Sequence, residues 1–289
     1  MVRLRTVNSL SGGDRQAVAN LLATTRAGGC ARLTEAAHSH HPVQPVTMTI
    51  AETIPDSDHS IVGYAQASEE ADGYIIDSAA DDSAIHAQVV RELAAKLPTD
   101  VALTWWTHEC HDTASVAASL GLRPQPRRLL NMSRSLPIEA ATDTVKTRPF
   151  VVGRDEAEWL RVNNAAFIWH GEQGEWEPAT LSRRISEPWF DPAGFLLHER
   201  DGHLAAFCWT KVHNPPTLGE IYVIAVHPDY HGLGLGRSLT VAGLRHLGSV
   251  GSTTAMLYVE SDNTAAVRLY ESLGFTVTHT DLAYQNSRK

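Results

Sequence analysis

Cysteine is scarce in this chain: Cys30, Cys110 and Cys208 are scattered and odd in number. Three such residues exclude a disulfide scaffold and fit a reducing, cytoplasmic environment. Positive charge is also in short supply. Lys plus Arg total 24 against 33 for Asp plus Glu, a net charge of −9. A chain without a global basic field is a poor candidate for DNA or RNA binding. No uninterrupted apolar stretch nears the ~18–20 residues of a membrane span, so no membrane contact is expected. The opening MVRLRTVNSLSGGDRQ has basic residues with no apolar stretch behind them, so no signal peptide is expected either. What is present is an ordinary globular composition, 43% hydrophobic and 20% charged over 289 residues. That length suits about two domains of ~150 residues, each with its own core.

The second half has the clearer pattern. Residues 159–167 carry helical spacing, and Pro178 suits a helix N1 position ahead of ATLSRRI. Two apolar runs flank Asp201-Gly202, the turn dipeptide of a type I′ hairpin. Residues 219–226 read as a strand ended by His227-Pro228, because proline does not continue a central strand. A glycine-punctuated HGLGLG precedes a helix expected over 237–247. A strand AMLYVE follows, then a helix stopped by Gly274, and FTVTH and LAYQ as two closing strands. The first half repeats this order more faintly, and SVAASLGL echoes VRLYESLGF with Gly121 and Gly274 153 residues apart. A period that long means duplicated domains. The expected division is a degenerate first domain over 1–136, a polar linker over 137–147 and a catalytic domain over 148–289. The fold class is α/β, with a mixed, largely antiparallel sheet in each copy.

The strand–glycine loop–helix at 219–247 carries the strongest chemical signal. Gly232, Gly234 and Gly236 allow close backbone approach to an anion, and the helix behind them presents its amides and positive dipole end. This is no Walker loop, since Gly-Lys-Ser/Thr is missing, and G-x-G-x-G is not the dinucleotide fingerprint. Alone, the loop is equally a tight strand–helix corner.

Together with NTAAVRLYESLGF, the run VHPDYHGLGLGRS resembles the two cofactor motifs of the Gcn5-related N-acetyltransferases. The resemblance implies acetyl-CoA held between splayed parallel strands, and a pair of tandem acetyltransferase folds with one working site. It implies cofactor contacts from Ile224, Ala225, Val226, His231, Gly232, Leu233, Gly234, Leu235, Gly236, Arg237, Asn263 and Arg268. At His231 the chain departs from the Gln or Arg usual there. Glu220 is implied as general base and Tyr270 as general acid for the departing CoA thiolate, with amides of 224–226 binding the thioester oxygen. On spacing alone Glu220 is equally a strand-end charge and Tyr270 a packing aromatic.

WLRVNNAAF, HGEQGEW, EPWFDPAGF, WTKVH and LGEIYV further resemble the tandem-domain mycothiol synthase family, over nearly all of 148–285. Those enzymes acetylate the cysteinyl amine of a cysteine–glucosamine–inositol thiol. This implies Glu35, Glu172, Lys211, Glu220 and Tyr258 as substrate contacts, Lys211 being equally an ordinary surface lysine. A small-molecule thiol-sugar partner and a monomer are expected. An acetyltransferase for another small amine or a protein N-terminus, and a non-catalytic acyl-CoA-binding module, stay as alternatives.

In the first copy AADDSAIHAQ replaces the glycine loop, and Asp81 and Asp82 would repel a pyrophosphate. That copy is expected to be structural. HSHH (His38, His40, His41) and HECH (His108 to His111) invite a metal reading, but no second ligand pair is identifiable, and no metal is expected. Cys208 reads as a small buried strand residue.

Overall fold

The computed structural model describes residues 2–25, 30–32, 47–53, 60–70, 73–109, 112–138, 145–168, 173–213 and 216–286. It forms two compact units. One comprises 1–130 with 260–262 and 279–289, the other 131–259 with 263–278.

In the first unit β1 (Val2–Val7), β3 (Thr47–Thr53), β4 (Ile61–Glu70) and β5 (Gly73–Ala80) form an antiparallel run in the order β1-β3-β4-β5. A short β2 (Cys30–Arg32) also pairs with β5, and β6 (Ala102–His108) lies parallel to it. The sheet is covered on both faces. Helix α1 (Gly12–Thr25) packs Val18 and Leu21 on Met48, Ile50 and Tyr64. Helix α2 (Ser83–Ala94) packs Val89, Val90 and Leu93 on Ala51, Ala65, Ile76 and Trp105. Neighbours such as Ile50 and Ala51 serve opposite cores because successive strand side chains point to opposite faces. Helix α3 (Thr113–Ser119) and β7 (Arg123–Ser135) follow.

The second unit takes in the end of β7 from Asn131, then the two-residue β8 (Arg148–Pro149), α4 (Glu156–Ala166) and α5 (Pro178–Ile185), whose Pro178 sits in the first turn as the sequence predicts. β9 (Phe195–Arg200) and β10 (His203–Val212) form the predicted hairpin. Asp201 and Gly202 both take positive φ, 53° and 80°, as a type I′ turn requires. β11 (Leu218–Val226), α6 (Leu235–Ser249), β12 (Thr254–Glu260) and α7 (Thr264–Ser272) complete the expected order. Trp159, Trp176, Phe195, Phe207 and Trp209 form an aromatic core under α4 and α5, with Phe195 and Trp209 stacked at 4.2 Å.

Two expectations need correction. Helix α6 starts two residues earlier than read, because Gly236 lies inside it rather than in the loop. FTVTH and LAYQ belong to one strand, β13 (Thr276–Gln285); Asp281–Gln285 pair with β6, and Leu282 and Tyr284 bury in the first unit's core.

Candidate active site

The site is built where β11 and β12 part. Their parallel ladder holds only Leu218↔Thr254, Gly219↔Ala255 and Glu220↔Met256. β11 runs on to Val226, still paired with β10 along its other edge. Beyond Glu220, among the described residues, no strand takes up the edge that β12 has left. Backbone groups at Ile224, Ala225 and Val226 that point away from β10 therefore face an opening. A bulge falls at the same place. Trp209 pairs with Val223 and Thr210 with Ile221, leaving Tyr222 as the extra residue. Bulges bend a strand and re-aim its side chains.

Glu220 stands at the fork, only 7% exposed. Its Oε2 accepts a hydrogen bond from His213 Nε2 at 2.7 Å. His213 is itself fixed by its backbone N–H, which donates to the Leu218 carbonyl at 2.9 Å. Directly across the ladder from Glu220 is Lys211. It is no surface lysine: it is 8% exposed, its ammonium 4.7 Å from the Trp189 ring centre and 5.5 Å from that of Tyr222. The two rings meet edge to face at 5.0 Å. A desolvated ammonium over aromatic faces gains about 2 kcal/mol, which offsets part of the cost of leaving water. A carboxylate, an imidazole, an ammonium and two aromatic faces thus share one small region.

The sequence reading gave no role to His213, Trp189 or Tyr222. One signal for His213 was available: it lies two positions after Lys211, the spacing that keeps two strand side chains on one face.

The glycine loop follows β11. Gly232 and Gly234 take φ of 78° and 74°, a left-handed conformation that side chains disfavour. Gly234 is the residue before the first turn of α6, whose ladder starts with the Ser238 amide on the Gly234 carbonyl. The preceding amides of a helix lack intrahelical acceptors and attract anions. Leu233 is exposed and Leu235 buried. The His231 ring turns back, its Nε2 donating to the Val226 carbonyl at 3.0 Å, so it braces the end of β11. Arg237 reaches Ser272 Oγ on α7 at 2.8 Å. Asn263 caps α7, its side chain accepting from the Ala266 amide at 3.2 Å, and Arg268 is exposed on that helix.

Tyr270 is buried and packs edge to face on Phe275. Burial, reinforced by the neighbouring Cys208 thiol, pushes its phenol above the ordinary value, so it stays protonated through neutral pH. Cys208 is fully buried, its thiol pushed up to about 12 by desolvation, which suits a packing residue and not a nucleophile. Tyr258, on β12, is 42% exposed. Glu35 and Glu172 lie outside the described residues.

The first unit has the same fork without the opening. β5 and β6 pair from Gly73↔Ala102 to Ile76↔Trp105 and then separate. β4 covers one edge of β5 through Ala80, so β2, paired at Cys30↔Ala80, Ala31↔Ala79 and Arg32↔Ser78, occupies the other. At the start of α2, Asp82 Oδ1 accepts from the amides of Ala84 and Ile85 at 2.8 and 3.1 Å. The helix end that faces a glycine loop in the second unit is capped here by the chain's own carboxylate.

The Acetyltransferase (GNAT) family matches residues 159–275. The mycothiol acetyltransferase of Streptomyces coelicolor is 50% identical over 186 residues, covering 62% of this chain and 60% of that protein. The mycothiol acetyltransferase of an Arthrobacter species is 40% identical over 247 residues, covering 81% of this chain and 76% of that one. Among solved structures, a GCN5-related N-acetyltransferase from Sphaerobacter thermophilus superposes with a TM-score of 0.71 at 19% identity, over 99% of this chain and 96% of that one. The chain belongs to the GNAT acetyltransferase family, in the group whose curated members are named mycothiol acetyltransferase.

Proposed function

We propose that this chain is an acetyl-CoA-dependent N-acetyltransferase acting on the cysteinyl amine of desacetylmycothiol, the cysteine–glucosamine–inositol thiol. The observation that carries the reading is the open edge of β11, which leads from the buried Glu220 to the glycine loop at the start of α6. The names of its relatives, which it matches over about 60% of the first one's length, supply the substrate.

In this reading the amides of Gly232 to Arg237 hold the pyrophosphate, with Asn263 and Arg268 on the far side. Amides of Ile224 to Val226 bind the thioester oxygen and stabilise the charge that grows there. Glu220 takes the proton as the amine attacks the thioester carbon and the C–N bond forms. A cysteinyl α-amine is only partly protonated near neutrality, so a modest base suffices. As the C–S bond breaks, Tyr270 gives its proton to the CoA thiolate. Transfer is direct, without an acyl-enzyme. His213 keeps the Glu220 carboxylate in place. Lys211, Tyr258, Glu35 and Glu172 are assigned to the polyol-sugar part of the substrate. The residues from 148 onward supply the catalysis and the first copy a scaffold, in a cytoplasmic monomer.

A thiol-release assay with acetyl-CoA tests this. Release with desacetylmycothiol, at a kcat/KM well above that with cysteine, glucosamine or an aminoglycoside, is the expected result. Equal or better use of another amine would assign a different substrate. No release with any amine, alongside tight acetyl-CoA binding, would make the chain a binding module.

A further inference from the structure

We propose that the first unit carries a site for one divalent transition-metal ion, formed by His108, His279 and Asp281. The site rests on the strand register and is independent of the acetyl-transfer reading. In the β6–β13 ladder Asp281 lies directly opposite His108. His279 precedes Asp281 by two residues on β13, so both side chains project from the same face. Two donors spaced i, i+2 on one strand and a third across the ladder converge on a single point.

The atoms bear this out. His108 Nδ1 is in direct contact with Asp281 Oδ1. His279 Nε2 lies 3.8 Å from the same oxygen. The two imidazole rings are 4.1 Å apart, and all three donor atoms fall within 4.8 Å of one another. Metal–nitrogen and metal–oxygen bonds of about 2.0–2.2 Å place tetrahedral donors roughly 3.4 Å apart. To take an ion, His108 and Asp281 would part from their present contact, and the His279 ring, one-third exposed, would turn toward them.

Chemistry narrows the ion. Two imidazoles and one carboxylate select zinc, cobalt, nickel or iron over the oxygen-seeking magnesium and calcium. The Asp281 side chain is fully shielded from solvent, so a cation bound against it is screened little by water. Three protein donors leave a fourth position for water or another ligand. The HECH segment hinted at a metal, but its partners lie 171 and 173 residues further along the chain, where no spacing motif could reveal them.

The test uses the full chain, stripped with a chelator and titrated with zinc by calorimetry, with elemental analysis after desalting. One retained zinc per chain is expected in the wild type, together with a zinc-dependent rise in Tm. His279→Ala should weaken binding by more than the roughly 10–100-fold that loss of an outer hydrogen-bond partner costs. Its far-UV circular dichroism and metal-free Tm should match the wild type. Asp281→Asn should do the same, and if that buried change prevents folding, His279→Ala alone decides. No stoichiometric zinc in the wild type overturns the site and leaves a His108–Asp281 ion pair in its place. Binding that survives His279→Ala undiminished overturns it also, and assigns the ion to other histidines.

Discussion

His213 donates a 2.7 Å hydrogen bond to Glu220, tying the residue that follows β10 to the third residue of β11. A charge-assisted bond of this kind contributes about 1.5–3 kcal/mol. It holds the Glu220 carboxylate in one orientation at the fork of the strands. Replacing Glu220 by Gln should lower kcat by about 10²–10⁴ while acetyl-CoA binding changes little. His213→Ala should lower kcat by about 10–150-fold with KM for acetyl-CoA nearly unchanged, and His213→Gln, which retains a donor, should recover part of it. Steady-state kinetics of the three variants check both roles. Full turnover in Glu220→Gln removes it from the mechanism.

Tyr270→Phe should leave acetyl-CoA affinity near wild type and cut kcat by about 10²–10⁴, the usual worth of a positioned acid. Because burial raises the phenol above its ordinary value, its loss of the proton lies above pH ~10. The alkaline limb of the wild-type kcat profile should therefore be absent through pH 9. A profile falling near neutrality would point to a different acid.

Lys211→Met keeps the length of the side chain and its packing between Trp189 and Tyr222 but removes the charge. The expected effect is a higher KM for the amine substrate, by about tenfold, corresponding to the loss of one charged contact of roughly 1.5 kcal/mol. Thermal stability should stay the same or rise, since a buried ammonium has been removed. An unchanged KM would make Lys211 a packing residue.

Isothermal titration should find one acetyl-CoA per chain. The edge of β5 is taken by β2, and Asp82 satisfies the first amides of α2. Two equivalents per chain would show that the first copy binds as well.

Asp155 offers a test of acid stability. Partial burial opposes its charge, but hydrogen bonds from Arg154, Arg148 and the Val151 amide outweigh it and hold the carboxyl well below the usual range. A depressed native pKa gives stability that is complete above the unfolded value, about 3.9, and is lost as pH falls toward the native one. Urea unfolding should show Asp155→Asn weaker by about 1–3 kcal/mol at pH 7, with the gap to wild type narrowing below pH 4. A constant gap across pH would tie the loss to packing.

What the sequence revealed and what it hid divide along physical lines. Local chemistry was legible. Asp201-Gly202 announced its turn, Pro178 its helix start, and the LGL and LGF stops marked the duplication, because each acts within a few bonds of backbone. β2 was not legible, since three residues carry no periodicity. The burial of Lys211 was hidden for another reason: Trp189 and Tyr222, which enclose it, come from other segments of the chain. His213 stood in plain view next to a residue already singled out, yet only the β10–β11 register shows that it meets Glu220. The continuity of β13 was missed because the polar pair Thr280-Asp281 between FTVTH and LAYQ looked like a break.

The aspartate that caps α2 sets a stability cost on opening that helix end to an anion. Opening that helix end to a phosphate means removing Asp82, which costs a few tenths of a kcal/mol if glycine takes its place and about 0.5–2 kcal/mol if alanine does. β2 must also leave the edge of β5, and glycines must replace residues that now have settled conformations. Stability and anion binding therefore pull in opposite directions at this one helix end.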